Sequence, residues 1–462
     1  MGKNNQQRRA AKRKKRAAGR QAPTVNAFDE PAAYRAGSTG SRTADELATA
    51  LVAAGVQAVG SPPELEDAIG DLLMFGGTGA PADAQLGERT ASRLLLEWVG
   101  RCYEGGWQPA DLVHVARRAL GVRPGRLAGD VVAVQAVAER AFERAPAPWL
   151  EQLEVFADEP TAAAAGSTGW NAVRSAALRR TNHWDAWHAV LLLLSHLGRL
   201  PTMPRLVPPP STWGRHRVAQ GPTVAAGSGH HHPKKLSTIR ALLAKAEATE
   251  FSEEADAFTA KAQDLMTRYA IDEALLSEGA DGVEIRSSRV HIDNPYASTK
   301  AQLLNTVGQV NRAKTIWDEQ NGIATIVGLP VDLDLTEMLF TSLLVQATKA
   351  MTEAGTVSTG GHRLDRSPSF RRAFLLSYAD RIGERLSDAG RHAQREEAEH
   401  RGRDLLPVLA RQSAAVDTEF ARLFPRATQS GATRVDARGW HAGRAAADRA
   451  VLAKAQVHAG SD

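Results

Sequence analysis

Apolar side chains over roughly the first two hundred residues recur with the spacing of α-helices, and capping residues mark where these helices begin and end. Thr43 before two acidic residues predicts one helix start, and Gly55 predicts its end. Pro109 and Gly121 bound another helix in the same way. The predicted helices cover about residues 44–55, 62–76, 84–103, 109–120, 131–142 and 184–197.

The pattern changes in the second half of the chain. Two amphipathic helices, one with Leu236 and Ile239 on its apolar face and one capped by Ser252, predict a helical hairpin. Beyond Gly282 the period becomes that of strands, at 283–292, 314–317 and 323–327, with a turn at Asn321–Gly322. A helix at 301–310 precedes the last two strands. Further helices begin at Asp332 or Asp334 and near Ser369.

These elements predict a mainly α protein with a small α+β domain, whose antiparallel sheet is covered by helices on one face. A stretch rich in proline and glycine separates the two halves and predicts a semi-stiff linker. The predicted organisation is a basic disordered arm and linker (1–42), a helical domain (43–200), the Pro/Gly-rich linker (201–233), the helical hairpin (234–280), the α+β domain (281–400) and a helical C-terminal extension (401–462).

Charge is distributed very unevenly along the chain. Nine of the 57 Lys and Arg residues lie in the first twenty positions, which hold no acid, so the remaining 48 basic residues face 52 acidic ones. A cationic arm on a slightly acidic body is suited to a polyanion, and we expect non-specific, salt-dependent binding of nucleic acid. The alternative is a tail that only solubilises the chain. The predicted nucleic-acid contacts are Arg8, Arg9, Lys12, Arg13, Lys14, Lys15 and Arg16.

The composition bears on the cellular compartment in which we expect the protein. The longest apolar run, Ala189–Leu194, is far shorter than the ~18 residues of a membrane span, so no membrane partner is expected. The N-terminal charges are not followed by an apolar stretch, so no secretory signal is expected either. A single cysteine, Cys102, fits a reducing cytoplasm and indicates a packed thiol rather than a nucleophile. Protein partners are not predicted.

A second group of arginines flanks a helix start at Ser367-Pro368-Ser369. Free backbone N–H groups at a helix start attract anions, so these side chains predict an anion-binding surface. The alternative is a set of ion pairs with nearby acids such as Asp365, Asp380 and Glu384. The predicted anion-binding residues are Arg363, Arg366, Arg371 and Arg372.

Metal and catalytic motifs are weak in this sequence. His392, Glu396 and His400 share a helical face, but the surrounding residues are typical of a solvated charged surface. The helix around Glu337 has no histidine and therefore lacks the H-E-x-x-H pattern of a zinc peptidase. No phosphate-binding loop with a following Lys-Ser or Lys-Thr is present, and no serine nucleophile motif is present. We therefore predict no metal and no cofactor.

The hairpin resembles the bacterial and phage family known as domain of unknown function 2786. The matching features are Ile239, Leu242, Leu243, Lys245, Ala246, Thr249, Glu253, Glu254, Ala255, Lys261, Ala262, Gln263, Leu265, Met266, Ile271 and Asp272. The following region is similar to the α+β domain that accompanies this hairpin, and the helical region before Pro201 is similar to the N-terminal half of actinobacterial members. The resemblance implies a bacterial protein and no particular activity.

Three functional hypotheses follow. We favour a non-enzymatic protein associated with nucleic acid through its arm. The rival is an enzyme acting on nucleic acid or another phosphorylated substrate, with the arginines as a clamp and His362, Asp365 or Glu337 transferring protons. A structural adaptor would instead expose a large apolar patch.

Overall fold

The computed structural model describes residues 43–78, 81–157, 170–178, 182–214, 233–248, 252–276, 283–354, 367–402, 404–427 and 437–449. The chain divides into two compact units, residues 1–47 and residues 48–462. Of the first unit only 43–47 are described, and the contacts reported below all lie within the second. The described part is mainly helical with a small antiparallel sheet, which confirms the predicted fold class.

Nine α-helices form the described helical half: α1 Ala44–Ala58, α2 Pro62–Thr78, α3 Pro81–Glu104, α4 Pro109–Leu120, α5 Val122–Ala138, α6 Ala141–Arg144, α7 Ala147–Ala157, α8 Ala172–Leu178 and α9 His183–Leu197. Helix α4 has the predicted bounds. The predicted end of α1 at Gly55 is wrong, because the helix continues to Ala58. A Cβ on Gly55 would lie 2.8 Å from Leu191 Cδ1, so this glycine permits close helix packing rather than ending the helix.

Part of the Pro-rich stretch packs on the helical half. Pro210–Thr212 form a 3₁₀ turn, and Trp213 joins the core of the helical half. The indole Nε1 of Trp107 donates to the Pro201 carbonyl at 2.7 Å, and Trp213 Nε1 donates to the Pro208 carbonyl at 2.9 Å. Residues 201–214 are thus anchored by tryptophan N–H groups, although proline composition alone predicts a linker there. Residues 215–232 lie outside the described residues.

The hairpin consists of α10 Pro233–Ala248 and α11 Ser252–Leu276. Leu236, Ile239 and Leu243 of α10 pack with Met266 and Tyr269 of α11 in one apolar cluster. The two helices therefore pack on each other as the apolar stripes predict.

The sheet contains β1 Arg286–His291, β2 Lys314–Asp318 and β3 Ile323–Gly328, with α12 Ala297–Val310 between β1 and β2. Its order is β1-β3-β2, and β3 pairs antiparallel with both neighbours. Gly322 adopts φ +70° in the predicted turn.

The expectation that one sheet face is covered is wrong, because every residue of β3 is buried. Ala324 and Ile326 point to a core shared with α12. On the opposite face Ile323 joins the core of the helical half, and Val327 packs with a C-terminal helix. The run Ile-Ala-Thr-Ile-Val-Gly is apolar on both faces, which is typical of a fully buried central strand.

The remaining helices are α13 Pro330–Ala354, α14 Pro368–Arg401, α15 Leu406–Leu423 and α16 Ala437–Arg449. Helix α14 begins at the predicted Ser367-Pro368-Ser369 segment, and Ser367 Oγ caps it by accepting from Phe370 N at 3.2 Å. Helix α13 begins at Pro330, before the predicted caps. Across the described ranges, no helix combines the length and apolar character needed to cross a membrane.

Candidate anion-binding site

Helix α4 presents three basic side chains to the sheet. His114, Arg117 and Arg118 are spaced three and four residues apart and so share one helical face. Arg117 pairs with Asp293 at 2.6 Å, just after β1. Arg118 donates to the carbonyls of Ile292 at 3.2 Å and Glu319 at 3.3 Å. The helical half therefore holds the segment after β1 and the turn before β3.

A buried charge cluster lies one helical turn earlier. The Asp111 cluster consists of Asp111, Arg289, His291 and His114. The Asp111 side chain is 1% exposed and pairs with Arg289, which is 2% exposed. His291 Nε2 lies 2.8 Å from Asp111 Oδ1. Burial would raise the pKa of Asp111, but the Arg289 charge and the hydrogen bonds from His291 and Arg289 outweigh it and lower this pKa.

Arg289 connects the cluster to further backbone groups. Besides the Asp111 carboxylate, its guanidinium donates to the carbonyls of Gly106 at 3.1 Å and Pro204 at 2.8 Å. Asp111 also accepts from the Gln108 backbone N–H at 2.9 Å, which caps α4. The start of α4, the Pro-rich segment and β1 are thus fixed together by one ion pair.

His114 is buried in this contact, with 3% of its side chain exposed. Its ring stacks on that of His291 at a centroid distance of 4.7 Å, and its Nε2 lies 3.1 Å from the Gly322 carbonyl. Its Nδ1 has no hydrogen-bond partner among the described residues. Burial, reinforced by His291, lowers the pKa of His114 to about 4, so the ring is neutral at pH 7.

Acid is expected to destabilise the protein through His114. Its pKa is about 4 in the folded protein and about 6.5 in an unfolded chain. The unfolded state therefore binds an extra proton between these two pH values. As the pH is lowered through this interval, the free energy of unfolding decreases by up to about 1.4 kcal/mol per pH unit. His196, whose pKa burial also lowers, adds a slope of the same sign.

The comparison of wild type with His114→Gln isolates this contribution. In urea unfolding at pH 7 and pH 5, the variant should lose less stability between the two pH values than the wild type does. Equal losses would contradict the assignment of a neutral, buried ring to His114.

A cavity of about 200 Å³ lies beside this contact, at the start of α12. Tyr296, just before the helix, has a left-handed backbone, and its side chain does not cap α12. The first N–H groups of an α-helix have no intrahelical acceptor, so those of Ala297 and Ser298 remain available for a ligand. We call this cavity the Arg118–Arg372 cavity. The first turn of α12 lines it together with Arg118, Asn294, Tyr296, Trp317, Glu319 and Arg372.

The charges of the cavity favour an anion. Arg372 is exposed and has no hydrogen bond or ion pair to the part of the chain that the structure describes. Arg118 is held in place by its two carbonyl contacts. Glu319 also lines the cavity and adds one acidic residue to these two arginines. The positive end of the α12 dipole adds to the basic side.

The structure brings only part of the predicted anion-binding set into this cavity. Arg371 and Arg372 lie near the start of α14, and only Arg372 lines the cavity. Arg363 and Arg366 lie outside the described residues, as do all seven predicted arm contacts. Further along α14, Arg381 pairs with Glu384 at 2.5 Å, so it is engaged in the fold.

Arg118 was missed by the sequence analysis. A basic residue in the last turn of a helix is explained by the helix dipole alone, so its sequence context gives no reason to single it out. The signal that does exist is the spacing of Arg118 four residues after His114, which places both side chains on one helical face.

Other candidate groups are engaged elsewhere. Cys102 is buried, and burial raises the pKa of its thiol to about 12, which favours the protonated thiol over the nucleophilic thiolate. His392 forms an exposed ion pair with Glu396 at 3.1 Å. Glu337 accepts from Ser288 Oγ at 2.7 Å, and burial raises its pKa. Within the described ranges, no group of three or more His, Cys, Asp or Glu side chains is arranged to hold a metal ion.

Comparison with known proteins finds a family match for one segment of the chain. The model of a family described as "Protein of unknown function (DUF2786)" matches residues 234–273. This match confirms the resemblance of the helical hairpin α10–α11. No curated protein and no solved structure matches the chain.

Proposed function

We propose that this protein is a non-enzymatic nucleic-acid-associated protein that holds a phosphate group in the Arg118–Arg372 cavity. The observation that carries the proposal is the convergence of Arg118, Arg372 and the uncapped start of α12 on one cavity. Helix starts and arginine forks are the common phosphate ligands of proteins. The basic arm adds non-specific attraction to the same polyanion.

The size of the cavity supports a polymeric ligand. At about 200 Å³ it is smaller than the pockets of roughly 300–1,000 Å³ that enclose a whole small molecule. A cavity of this size suits a short section of a larger molecule rather than a whole free ligand. A phosphate on a nucleic acid strand meets this requirement.

None of the described residues that line the cavity is a proton-transfer group proposed for the rival enzyme. Of the three predicted proton-transfer residues, only Glu337 lies in a described range, and it is engaged with Ser288 away from the residues that line the cavity. The single cysteine favours the cytoplasm, where bacterial nucleic acid is located.

Loss of Arg372 is expected to weaken binding at least tenfold. A hydrogen bond to a charged group contributes about 1.5–3 kcal/mol. Arg372→Gln should therefore lower the affinity for a fluorescent single-stranded oligonucleotide and reduce the salt slope by about 0.7. Arg371→Gln is the matched control, since it removes the same charge from the adjacent position and does not line the cavity. Fluorescence anisotropy across salt concentrations measures the affinity and the salt slope of each variant.

A chain lacking residues 1–20 separates the arm from the cavity. Its affinity should fall for single-stranded and duplex DNA and RNA alike, with a salt slope lower by several units because nine cations are lost. Equal, salt-insensitive affinities with and without the arm would refute its role. Equal effects of the two glutamine variants would refute the role of the cavity.

A further inference from the structure

The same cavity contains an aromatic wall, and from it we infer that the bound element is a nucleotide unit of a single strand, with its phosphate at the start of α12 and its base against Trp317. This inference rests on the proposed function and names its ligand more closely. Residues 1–20, which carry the nine cations, include no aromatic residue and so offer no platform for a base. Trp317 and Tyr296 bring two aromatic rings to the cavity.

Trp317 is placed on the correct side of the sheet for this role. It pairs with Ala324 of β3, and Ala324 belongs to the core that α12 also joins. The Trp317 side chain is thus on the same sheet face as α12. Its ring and the α12 start line one cavity, which lets a single ligand contact both.

The remaining polar groups suit a nucleotide better than a bare anion. Asn294 offers an amide donor and acceptor, and Glu319 offers a carboxylate acceptor. The carboxylate would repel a lone phosphate, but it can accept from a base amino group or a ribose hydroxyl. A ligand with an anionic part, a flat ring and a donor edge satisfies all of these residues.

A duplex does not fit this arrangement. Its bases are stacked and paired, so a ring can reach a protein aromatic only after unstacking, which costs free energy. Unpaired bases stack on aromatic side chains with little sequence preference. The cavity should therefore favour single-stranded over double-stranded nucleic acid, while the arm should not distinguish them.

The test compares a single-stranded 20-mer with its duplex, as DNA and as RNA, on full-length protein. Trp317→Leu should weaken single-strand binding roughly tenfold and leave duplex binding unchanged. Trp317→Phe, which keeps a ring, should retain most of the single-strand affinity. An unchanged single-strand affinity in Trp317→Leu would overturn the inference, as would an equal loss for both ligands in a variant that remains folded by circular dichroism.

A second measurement uses only the wild type and therefore does not depend on any variant folding. A nucleoside 5′-monophosphate should bind more tightly than ribose 5-phosphate, and both more tightly than inorganic phosphate, in calorimetric titrations. Equal affinities for nucleotide and sugar phosphate would overturn the inference but leave the proposed function standing. The proposed phosphate site fails if Arg372→Gln behaves like Arg371→Gln.

Discussion

Asp111→Ala is expected to lower the free energy of unfolding by about 3–5 kcal/mol, because it leaves the Arg289 charge buried without its partner. Arg289 is 2% exposed, so water cannot replace the lost carboxylate. The substitution also removes the acceptor for Gln108 N at the start of α4. Chemical denaturation at pH 7 measures the loss. Anion affinity should fall as well, since α4 carries Arg118.

Glu97→Ala provides the matched control for a surface ion pair. Glu97 pairs with Arg93 at 2.7 Å on helix α3, with both side chains exposed to solvent. Its removal should change stability by less than about 1 kcal/mol. The double variant Asp111→Leu with Arg289→Met should regain part of the stability lost in Asp111→Ala, since it removes both buried charges. A loss in Asp111→Ala no larger than that of Glu97→Ala would contradict the burial of this pair.

Gly443→Ala is expected to separate α16 from α14. A Cβ at Gly443 would overlap the Phe374 carbonyl oxygen and Ser377 Oγ, and a Cβ at Gly439 would overlap the Phe370 carbonyl oxygen. A backbone oxygen cannot move aside unless the helices shift apart, so overpacking should cost about 1–3 kcal/mol. The thermal unfolding midpoint reports this change.

Gly390→Ala on α14 is the control for helix propensity. No atom lies within 4 Å of a Cβ built there. The alanine should stabilise the helix by roughly 0.5–1 kcal/mol, because glycine is the more flexible residue in an unfolded chain. If Gly443→Ala raised the midpoint as Gly390→Ala does, close packing of α16 on α14 would be excluded.

Local signals in the sequence predict much of the fold. Pro109 and Gly121 bound α4 because a proline fits the first helical turn and a glycine adopts φ +95° after the last. Asn321–Gly322 joins β2 to β3 because the turn requires a positive φ, which Gly322 adopts at +70°. Such signals depend on a few neighbouring residues and can therefore be read without tertiary information.

The candidate site depends on contacts that local patterns do not contain. Asp111 and Arg289 are 178 residues apart in the chain, and Asp111 by itself resembles an ordinary acid in a first helical turn. Arg118 and Arg372 come from different halves of the protein. Only the docking of α4 on the segment after β1 brings them to one cavity. Periodicity predicts which face of a helix is apolar, but not which distant charge it meets.

A crystal structure of the full chain with a short single-stranded oligonucleotide tests the proposed phosphate site most directly. We expect a phosphate group within hydrogen-bonding distance of Arg118, Arg372 and the first N–H groups of α12. An oligonucleotide bound at another surface, with the Arg118–Arg372 cavity free of it, would contradict the account.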